Sequence, residues 1–311
     1  MPGMVTWPRR LVRHIAGLML TALAGALFAA TLVRFAPGAD SDERDFDPRV
    51  SAASLQALHD SRSGDRHLAR YYVNYLRGLA HGDFGTSYSL KRPVRELLAD
   101  RGPATLRLAG CGLIAGWALG LTLAIFATQW HRGRIEWFTS GFSALLLCMP
   151  AALIGLLVLV ARAQWWWAIA LIILPKVYSY ARGLIESVAR EPHVLLARAK
   201  GLGRLRIFVW HMLPSILPEL LALAGVSISL AFSAAIPIEA ICDIPGVGQL
   251  AWQAALGRDL PILVTITLLL ALITRAANVA ANIAIAGLPG APLAGDTPRD
   301  PQFEPRLERA A

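Results

Sequence analysis

The groups able to carry chemistry are few in this sequence, and their spacing does not assemble them. Three cysteines, Cys111, Cys148 and Cys242, stand far apart. They have neither the paired spacing of a zinc site nor the even count of a disulfide framework. Cys111 and Cys148 fall in apolar runs and read as small core residues. Seven histidines are scattered. His59, His67 and His81 share one loop, which is the nearest approach to a metal cluster, and it is not read as one. The three lysines, Lys91, Lys176 and Lys200, lie outside any glycine-rich phosphate loop. No stretch matches GxxxxGK[ST], so the chain does not bind ATP through a P-loop of its own. An intramembrane enzyme needs a nucleophile with a base, or a metal, within its apolar runs, and no such pair stands out. No catalytic residue, metal or cofactor is expected.

Two stretches remain. The first is IPIEAICDIPGVGQLAWQAALGRDLP, Ile236 to Pro261. Pro245, Gly246 and Gly248 break a helix there and predict a re-entrant or interfacial turn, which is tolerated at membrane depth where it lines a cavity. Glu239 and Asp243 either contact a ligand or gate an opening beside the turn, or hold the turn by hydrogen bonds to its backbone. The second role is preferred. Further on, Arg275, Asn278 and Asn282 recur on one helical face, directed into the bundle or toward the inner interface. Arg275 either meets a solute carboxylate or snorkels to the surface. Ser227, Ser229 and Ser233 offer a polar seam.

The second stretch is EPHVLLARAKGLGRLRIFVWHMLPSILP, Glu191 to Pro218. It predicts a short helix over His193 to Lys200, a stop at Gly201, a further turn at Gly203, and an amphipathic run ending at Pro214. Glycine permits the tight reversal that other residues resist. Arg198, Lys200, Arg204 and Arg206 give it a cationic surface. A short basic loop between membrane spans stays on the cytoplasmic face. The expected shape is a short helix lying parallel to the membrane, suited to docking into a partner.

The elements that must position these stretches are membrane helices. The chain has 311 residues, 55% of them hydrophobic and only 16% charged, with a mean hydropathy of +0.50. Its apolar residues gather in runs of about 20, long enough to cross a ~30 Å hydrocarbon core. The net charge of +9 orients the spans and meets anionic lipid. No aromatic and basic residues interleave into a nucleic-acid stacking platform. Six spans are predicted. They are Leu11 to Val33, Thr105 to Thr128, Trp137 to Ala161 kinked at Pro150, Trp165 to about Arg182, Glu219 to Ile236, and Ile262 to Ile285. Pro103 is read as lying just ahead of the second span. Gly110, Gly112, Gly116 and Gly120 lie at helical spacing in that span and let another helix approach. Trp165, Trp166 and Trp167 form an aromatic belt at the outer interface. Residues 1–33 form a cytoplasmic start and first span, 34–103 an external loop, 104–286 the transmembrane core with a loop over 184–214, and 287–311 a disordered tail inside. Six spans put both termini, and the basic clusters, in the cytoplasm.

These stretches also carry a resemblance. Ala197, Gly201 and Leu213-Pro214 resemble the cytoplasmic "EAA" loop of ABC importer permeases. ARAKGL at Ala197 to Leu202 is similar to the form in dipeptide, oligopeptide and nickel importer permeases. Leu195 and Leu196 stand where the general motif has an acid and its first alanine. Ahead of the second span, Gly82-Asp83, Gly85, Ser87, Pro93-Val94, Arg101 and Pro103 to Leu106 match the family pattern. Glu239, Pro245-Gly246, Gly248, Leu250, Arg258-Asp259, Pro261 and Asn278 match it again. The chain departs from the family between its third and fourth spans, where only Arg162 to Gln164 replace a longer external hairpin.

The resemblance implies an all-α, polytopic permease of the type I importer kind, with about six spans and a cytoplasmic coupling helix. It implies a location in the bacterial cytoplasmic (inner) membrane. It implies three kinds of protein partner: a homologous second permease subunit, P-loop ATPase subunits in the cytoplasm that hydrolyse the ATP, and an extracytoplasmic substrate-binding protein. Ala197, Arg198, Ala199, Lys200, Gly201, Arg204, Leu213 and Pro214 would meet the ATPase, with Ala197 and Gly201 small so that the surfaces can approach. Glu239, Asp243, Pro245, Gly246, Gly248, Arg275 and Asn278 would line the translocation path or its gate. Peptides are the favoured substrate. A nickel or other small-solute importer permease, or an ATP-independent secondary transporter, is the alternative. A secondary transporter usually shows inverted repeats, and no convincing repeat is found.

Overall fold

A computed structural model describes residues 84–129 and 133–288, together with the single positions Gly17, Leu20, Ala24 and Gly78. The expectations for the remainder of residues 1–83, including His59, His67 and His81, and for the tail lie outside the described residues. Gly17, Leu20 and Ala24, from the first apolar run, are helical.

Eight helices follow in the described residues, numbered here from Val94. They are α1 (Val94–Gln129), α2 (Gly133–Cys148), α3 (Ala151–Val160), α4 (Trp166–Val188), α5 (Pro192–Ala199), α6 (Arg204–Ile241), α7 (Val247–Leu256) and α8 (Leu260–Ala286). No strand occurs among the described residues. An isolated bridge joins Thr86 to Pro93. Helices α1, α4, α6 and α8 are each long and apolar enough to span a membrane, and the α2–α3 pair makes a fifth crossing if taken as one.

Prolines account for most differences from the predicted spans. Helix α1 begins at Val94 and runs through Pro103, eleven residues before the expected start at Thr105. A proline inside a helix removes one hydrogen bond and strains one turn. Here Leu97, Thr105, Leu108 and Ala109 are all buried on the two sides of it, and their packing holds the helix together. Pro150 behaves differently. It adopts an extended backbone as the N-cap of α3, and α2 and α3 meet at 105°. The third crossing is therefore two helices rather than one kinked helix. Helix α6 starts at Arg204 instead of Glu219 and absorbs Pro214, Pro218 and Pro237.

The bundle is organised on α1 and α4, which share its most extensive contact. Added Cβ atoms at Gly112, Gly116 and Gly120 would lie 2.4, 2.9 and 2.8 Å from the Cβ atoms of Ile169, Ile173 and Val177. Only glycine permits this approach, in which three successive turns of each helix touch, and such close packing drives association in lipid. Gly110 meets nothing within 4 Å and has no part in it. Helix α6 then packs on α1, α4, α7 and α8. Trp166 and Trp167 stack at the start of α4, with ring centroids 4.5 Å apart.

Three further expectations change. Cys111 and Cys148 are exposed on the bundle surface and only Cys242 is buried, so the first two are not core residues. Ser227 and Ser229 donate to the carbonyls of Leu223 and Gly225 in their own helix and do not form a seam between helices. Asn282 is exposed.

Candidate functional site

The basic loop folds as a helical hairpin. Glu191, with an extended backbone, precedes Pro192 at the first helical position of α5, where a missing N–H costs nothing. The end of α5 is a Schellman motif. Gly201 N–H donates to Arg198 C=O at 2.9 Å, and Leu202 N–H donates to Ala197 C=O at 3.3 Å. Gly201 supplies the left-handed residue that this motif needs, with φ +77°. A Cβ at Gly201 would meet nothing within 4 Å, so within the chain its requirement is conformational and not spatial. Gly203 has φ −63° as the N-cap of α6 and needs no glycine.

Val194 and Ala197 are buried. They share a cluster with Ile185 and Val188 of α4, Ala124 and Ala127 of α1, and Ile207, Met212 and Ile216 of α6. Ala197, only 4% exposed, therefore faces the protein's own bundle and not a partner. Its small size lets α5 settle against that bundle. The outward face carries Leu195 and Leu196, 50% and 58% exposed, with Arg198, Ala199, Lys200, Arg204 and Arg206 exposed around them.

The amphipathic run does not end at Leu213-Pro214. It widens over Phe208 to Met212 into a π turn, closed by Leu213 N–H to Phe208 C=O, and continues as α6. Such turns commonly accompany functional sites. Proline has no N–H to give, and the wider turn accommodates its ring. Leu213 is half-buried against the loop cluster and Pro214 is exposed. The carbonyl of His211, inside the π turn, lies 3.2 Å from His193 Nε2 on α5 and accepts from Ser215 Oγ at 3.2 Å.

At the far end of α6 the two other motif blocks come together. Glu239 is fully buried. Its Oε2 accepts from the backbone N–H groups of Gly248 at 2.7 Å and Gln249 at 3.3 Å. The carboxylate thus caps the first turn of α7, where unpaired N–H groups and the helix dipole favour negative charge. Val247 N–H donates to Thr105 Oγ1 of α1 at 2.8 Å. Gln249 is held between Asp243 and Arg101 of α1. Gly248 lets α7 lie on α6, since a Cβ there would come 2.6 Å from Ile236 Cα. One at Gly246 would overlap the Glu239 carboxylate. Asp243 is exposed with φ +50°, and Pro245 is exposed on the turn. Around Glu239 the geometry is that of a turn-holding group.

A second latch lies beside it. Asp259, also fully buried, accepts through Oδ2 from Ser87 Oγ at 2.6 Å, Ser89 N–H at 2.9 Å and Ser89 Oγ at 2.7 Å. Val94, Leu250 and Ile262 pack beneath these polar groups in one cluster. Residues 84–93, expected to belong to a loop, are thereby fastened to the turn before α8. These pairings span 142 to 172 residues and could not be read from the sequence.

Arg275 and Asn278 stand apart from both ends. Asn278 Nδ2 donates to Thr274 C=O at 2.7 Å, and its Oδ1 lies against Gly225 of α6. The Arg275 guanidinium lies against Gly17 of the first apolar run.

One cluster escaped the sequence reading. Between α2 and α4 lies a cavity of about 300 Å³ lined by Ser140, Ser143, Tyr178, Ser179, Arg182 and Glu186. The fourth span, expected to end at about Arg182, continues to Val188 and carries Arg182 and Glu186 within it. The usable signal was the spacing of Tyr178, Arg182 and Glu186, which lie four residues apart and so share one helical face.

Comparison with known proteins agrees with this architecture. The oligopeptide transport system permease protein OppB of Salmonella typhimurium is 29% identical over 261 residues, covering 76% of this chain and 84% of OppB. The dipeptide transport system permease protein DppB of Lactococcus lactis is 25% identical over 283 residues, covering 85% of this chain and 92% of DppB. A chain of the MetNI methionine ABC transporter shares the fold with a TM-score of 0.54 at 15% identity, over 63% of this chain and 97% of that one. The family model for the inner membrane component of binding-protein-dependent transport systems matches residues 120–288. That match takes in the basic loop, all of α6 and the Glu239 turn, which is more than half of the chain, and so the chain belongs to this family of membrane permeases.

Proposed function

We propose that this chain forms half of the translocation pathway of an ATP-driven peptide importer, with ATP hydrolysed on a separate subunit that docks on α5. The resemblance to oligopeptide and dipeptide permeases supports the substrate class. The observation that carries the coupling role is the mounting of α5. Its outer face offers two exposed leucines ringed by cations, and its inner face is locked to the ends of α1, α4 and α6. A nucleotide-driven push on α5 then moves three long helices together. A second, homologous permease completes the path, and an extracytoplasmic binding protein delivers solute to the face bearing the Glu239 turn. The connection between α3 and α4 spans only Ala161 to Trp165, so that docking relies on other outer segments. Both termini lie in the cytoplasm. No observation favours a secondary transporter or a nickel permease.

The test is to isolate the chain from its native membrane in mild detergent and identify what accompanies it. Recovery of a P-loop ATPase and a second permease is expected. A chain that purifies alone and transports in liposomes without ATP refutes the proposal.

A further inference from the structure

We propose that the exposed face of α4 around Lys176 is the docking surface for a membrane helix of the second permease, and that this helix carries an aspartate or glutamate at the depth of Lys176. The inference rests on the importer reading and adds to it a contact face and the chemistry of the group that meets it.

Lys176 lies ten residues after the start of α4 at Trp166 and twelve before its end at Val188, roughly 15 and 18 Å along the helix. It therefore stands in the middle of a span that crosses a ~30 Å hydrocarbon core. Snorkelling serves lysines near helix ends and does not reach from here. Lys176 is exposed, and among the described residues it has no hydrogen bond or ion pair. The nearest carboxylate of its own helix, Glu186, is ten residues further on and bonds to Arg182 instead. The rest of the face continues in kind. Ser179, Tyr180, Gly183 and Ser187 follow at helical spacing, so they share the side of Lys176, and all four are exposed. No aliphatic side chain interrupts them. The exposed face of α2 is the opposite case, with Trp137, Phe138, Phe142 and Leu145 turned outward, a surface suited to lipid.

A mid-span ammonium without a partner is not left to lipid. Charged groups within spans pair with one another or face a water-filled cavity. The surroundings of Lys176 favour a helix over water. Ser179, Gly183 and Ser187 recur every four residues, a spacing of small residues that lets two helices approach closely. Within the chain that smallness goes unused. A Cβ at Gly183 would meet nothing within 4 Å, whereas those at Gly112, Gly116 and Gly120 would collide with α4. The serine hydroxyls are already spent inside the chain. Ser187 Oγ donates to Leu184 C=O at 2.8 Å, and Ser179 Oγ lies 3.1 Å from Ser143 Oγ. What is left for the partner to meet is the charge. Lysine offers donors only, and its strongest complement is a carboxylate. Anionic lipid headgroups lie at the membrane surface, above or below this depth. Of the partners in the importer reading, the ATPase and the binding protein lie outside the membrane. The second permease is the one that places helices beside α4.

The test uses the complete importer in its native membrane. The photo-reactive residue p-benzoylphenylalanine replaces Tyr180, 47% exposed on this face, and in a second sample replaces Trp137, 80% exposed on α2. Illumination is expected to join the Tyr180 position to the second permease, at a helix with an aspartate or glutamate within one turn of the joined residue. The Trp137 position is expected to join no protein. The charge is tested separately. Lys176→Glu should weaken association of the two permeases at least about thirtyfold, the lower bound for leaving one member of a buried charge pair unmet. Exchanging the partner's carboxylate for lysine in the same complex should restore it. The inference is overturned if the Tyr180 position joins no chain, or joins a helix without a carboxylate, even where Lys176→Glu does not assemble. Unchanged association in Lys176→Glu, or a loss that the exchange does not restore, overturns it as well. A wild-type complex that contains no second permease is a separate result and refutes the importer reading beneath it.

Discussion

Replacing Gly201 separates two explanations of the same residue. If glycine is there because a partner surface must come close, the damage should grow with side-chain volume, so that Ala is milder than Asn. If it is there because the Schellman motif needs φ near +77°, the damage should follow the cost of the left-handed conformation. For most L-residues that cost is roughly 1–2 kcal/mol. Asn tolerates the region through local hydrogen bonding, and β-branched residues tolerate it least. The space around Gly201 is empty to 4 Å, so within the chain no steric penalty is added. The expected order of retained function is Gly, Asn, Ala, Val.

The strain acts on the hydrogen bonds from Gly201 and Leu202 to Arg198 and Ala197, the contacts that end α5 and turn the chain toward α6. A penalty of 1–2 kcal/mol is a factor of about 5–30 in the ratio of native to non-native loop, which lowers the native population by as much where that loop is only marginally stable without its partner. The apparent affinity of the ATPase falls with the population that can bind it. The assay is ATPase binding to the permease in nanodiscs, together with ATP-driven uptake. A weakening of about tenfold is expected for Gly201→Ala, with Gly201→Asn clearly closer to wild type. If Asn is worse than Ala, the conformational argument fails and direct contact with the partner takes its place.

Leucine at Gly112 or Gly116 should abolish accumulation of folded protein, because the added atoms overlap the Cβ atoms of Ile169 and Ile173. Leucine at Gly110, which meets nothing within 4 Å, should express and melt like wild type. Glu239→Ala leaves the Gly248 and Gln249 N–H groups without their charged acceptor, at a cost of about 1.5–3 kcal/mol, and Glu239→Gln should lose less. Thermal unfolding in detergent reads both, and lost transport with unchanged stability would instead make Glu239 a solute contact. A double-mutant cycle of Ser87→Ala with Asp259→Asn should show coupling of about 0.5–3 kcal/mol, and strict additivity would remove the latch.

The legible parts of this chain were local ones. Gly201 after a basic helix is a stop signal written within ten residues, and the structure reads it the same way. The glycine repeat from Gly112 to Gly120 likewise announces a close helix contact, although which helix would come was hidden. Proline shows where local reading ends. Pro103 and Pro150 are the same residue, yet α1 continues through the first and the third crossing breaks at the second. The residue type alone does not say which, and buried residues flank both prolines. The latch at Asp259 was hidden for the same reason. Ser87 meets Asp259, and Thr105 meets the backbone of Val247, across 172 and 142 residues, a distance over which periodicity carries no information. The inward direction of Ala197 was also hidden, because a short helix with apolar residues on both faces does not say which face is buried.

The packing determines which parts can move as one body. Helix α6 is 38 residues long, roughly 57 Å at 1.5 Å per residue. It joins the loop cluster to the Glu239 turn without interruption. Helix α1 runs the same course, with Ala124 and Ala127 in the loop cluster and Arg101 and Thr105 at the Glu239 turn. The glycine contact fixes α4 to α1. Any displacement of α5 is therefore felt by all three helices at one end. It reaches the Glu239 carboxylate, and through it the first turn of α7, at the other. The α2–α3 pair is attached differently. It is broken at Pro150, and α2 meets α4 through hydroxyls and the Arg182 cluster rather than through glycine-to-Cβ contacts. Hydrogen bonds among hydroxyls can exchange partners with water or solute, whereas interlocked apolar packing cannot slide without opening a void. The seam between α2 and α4 is thus held in part by exchangeable hydrogen bonds, and it also carries the polar cavity.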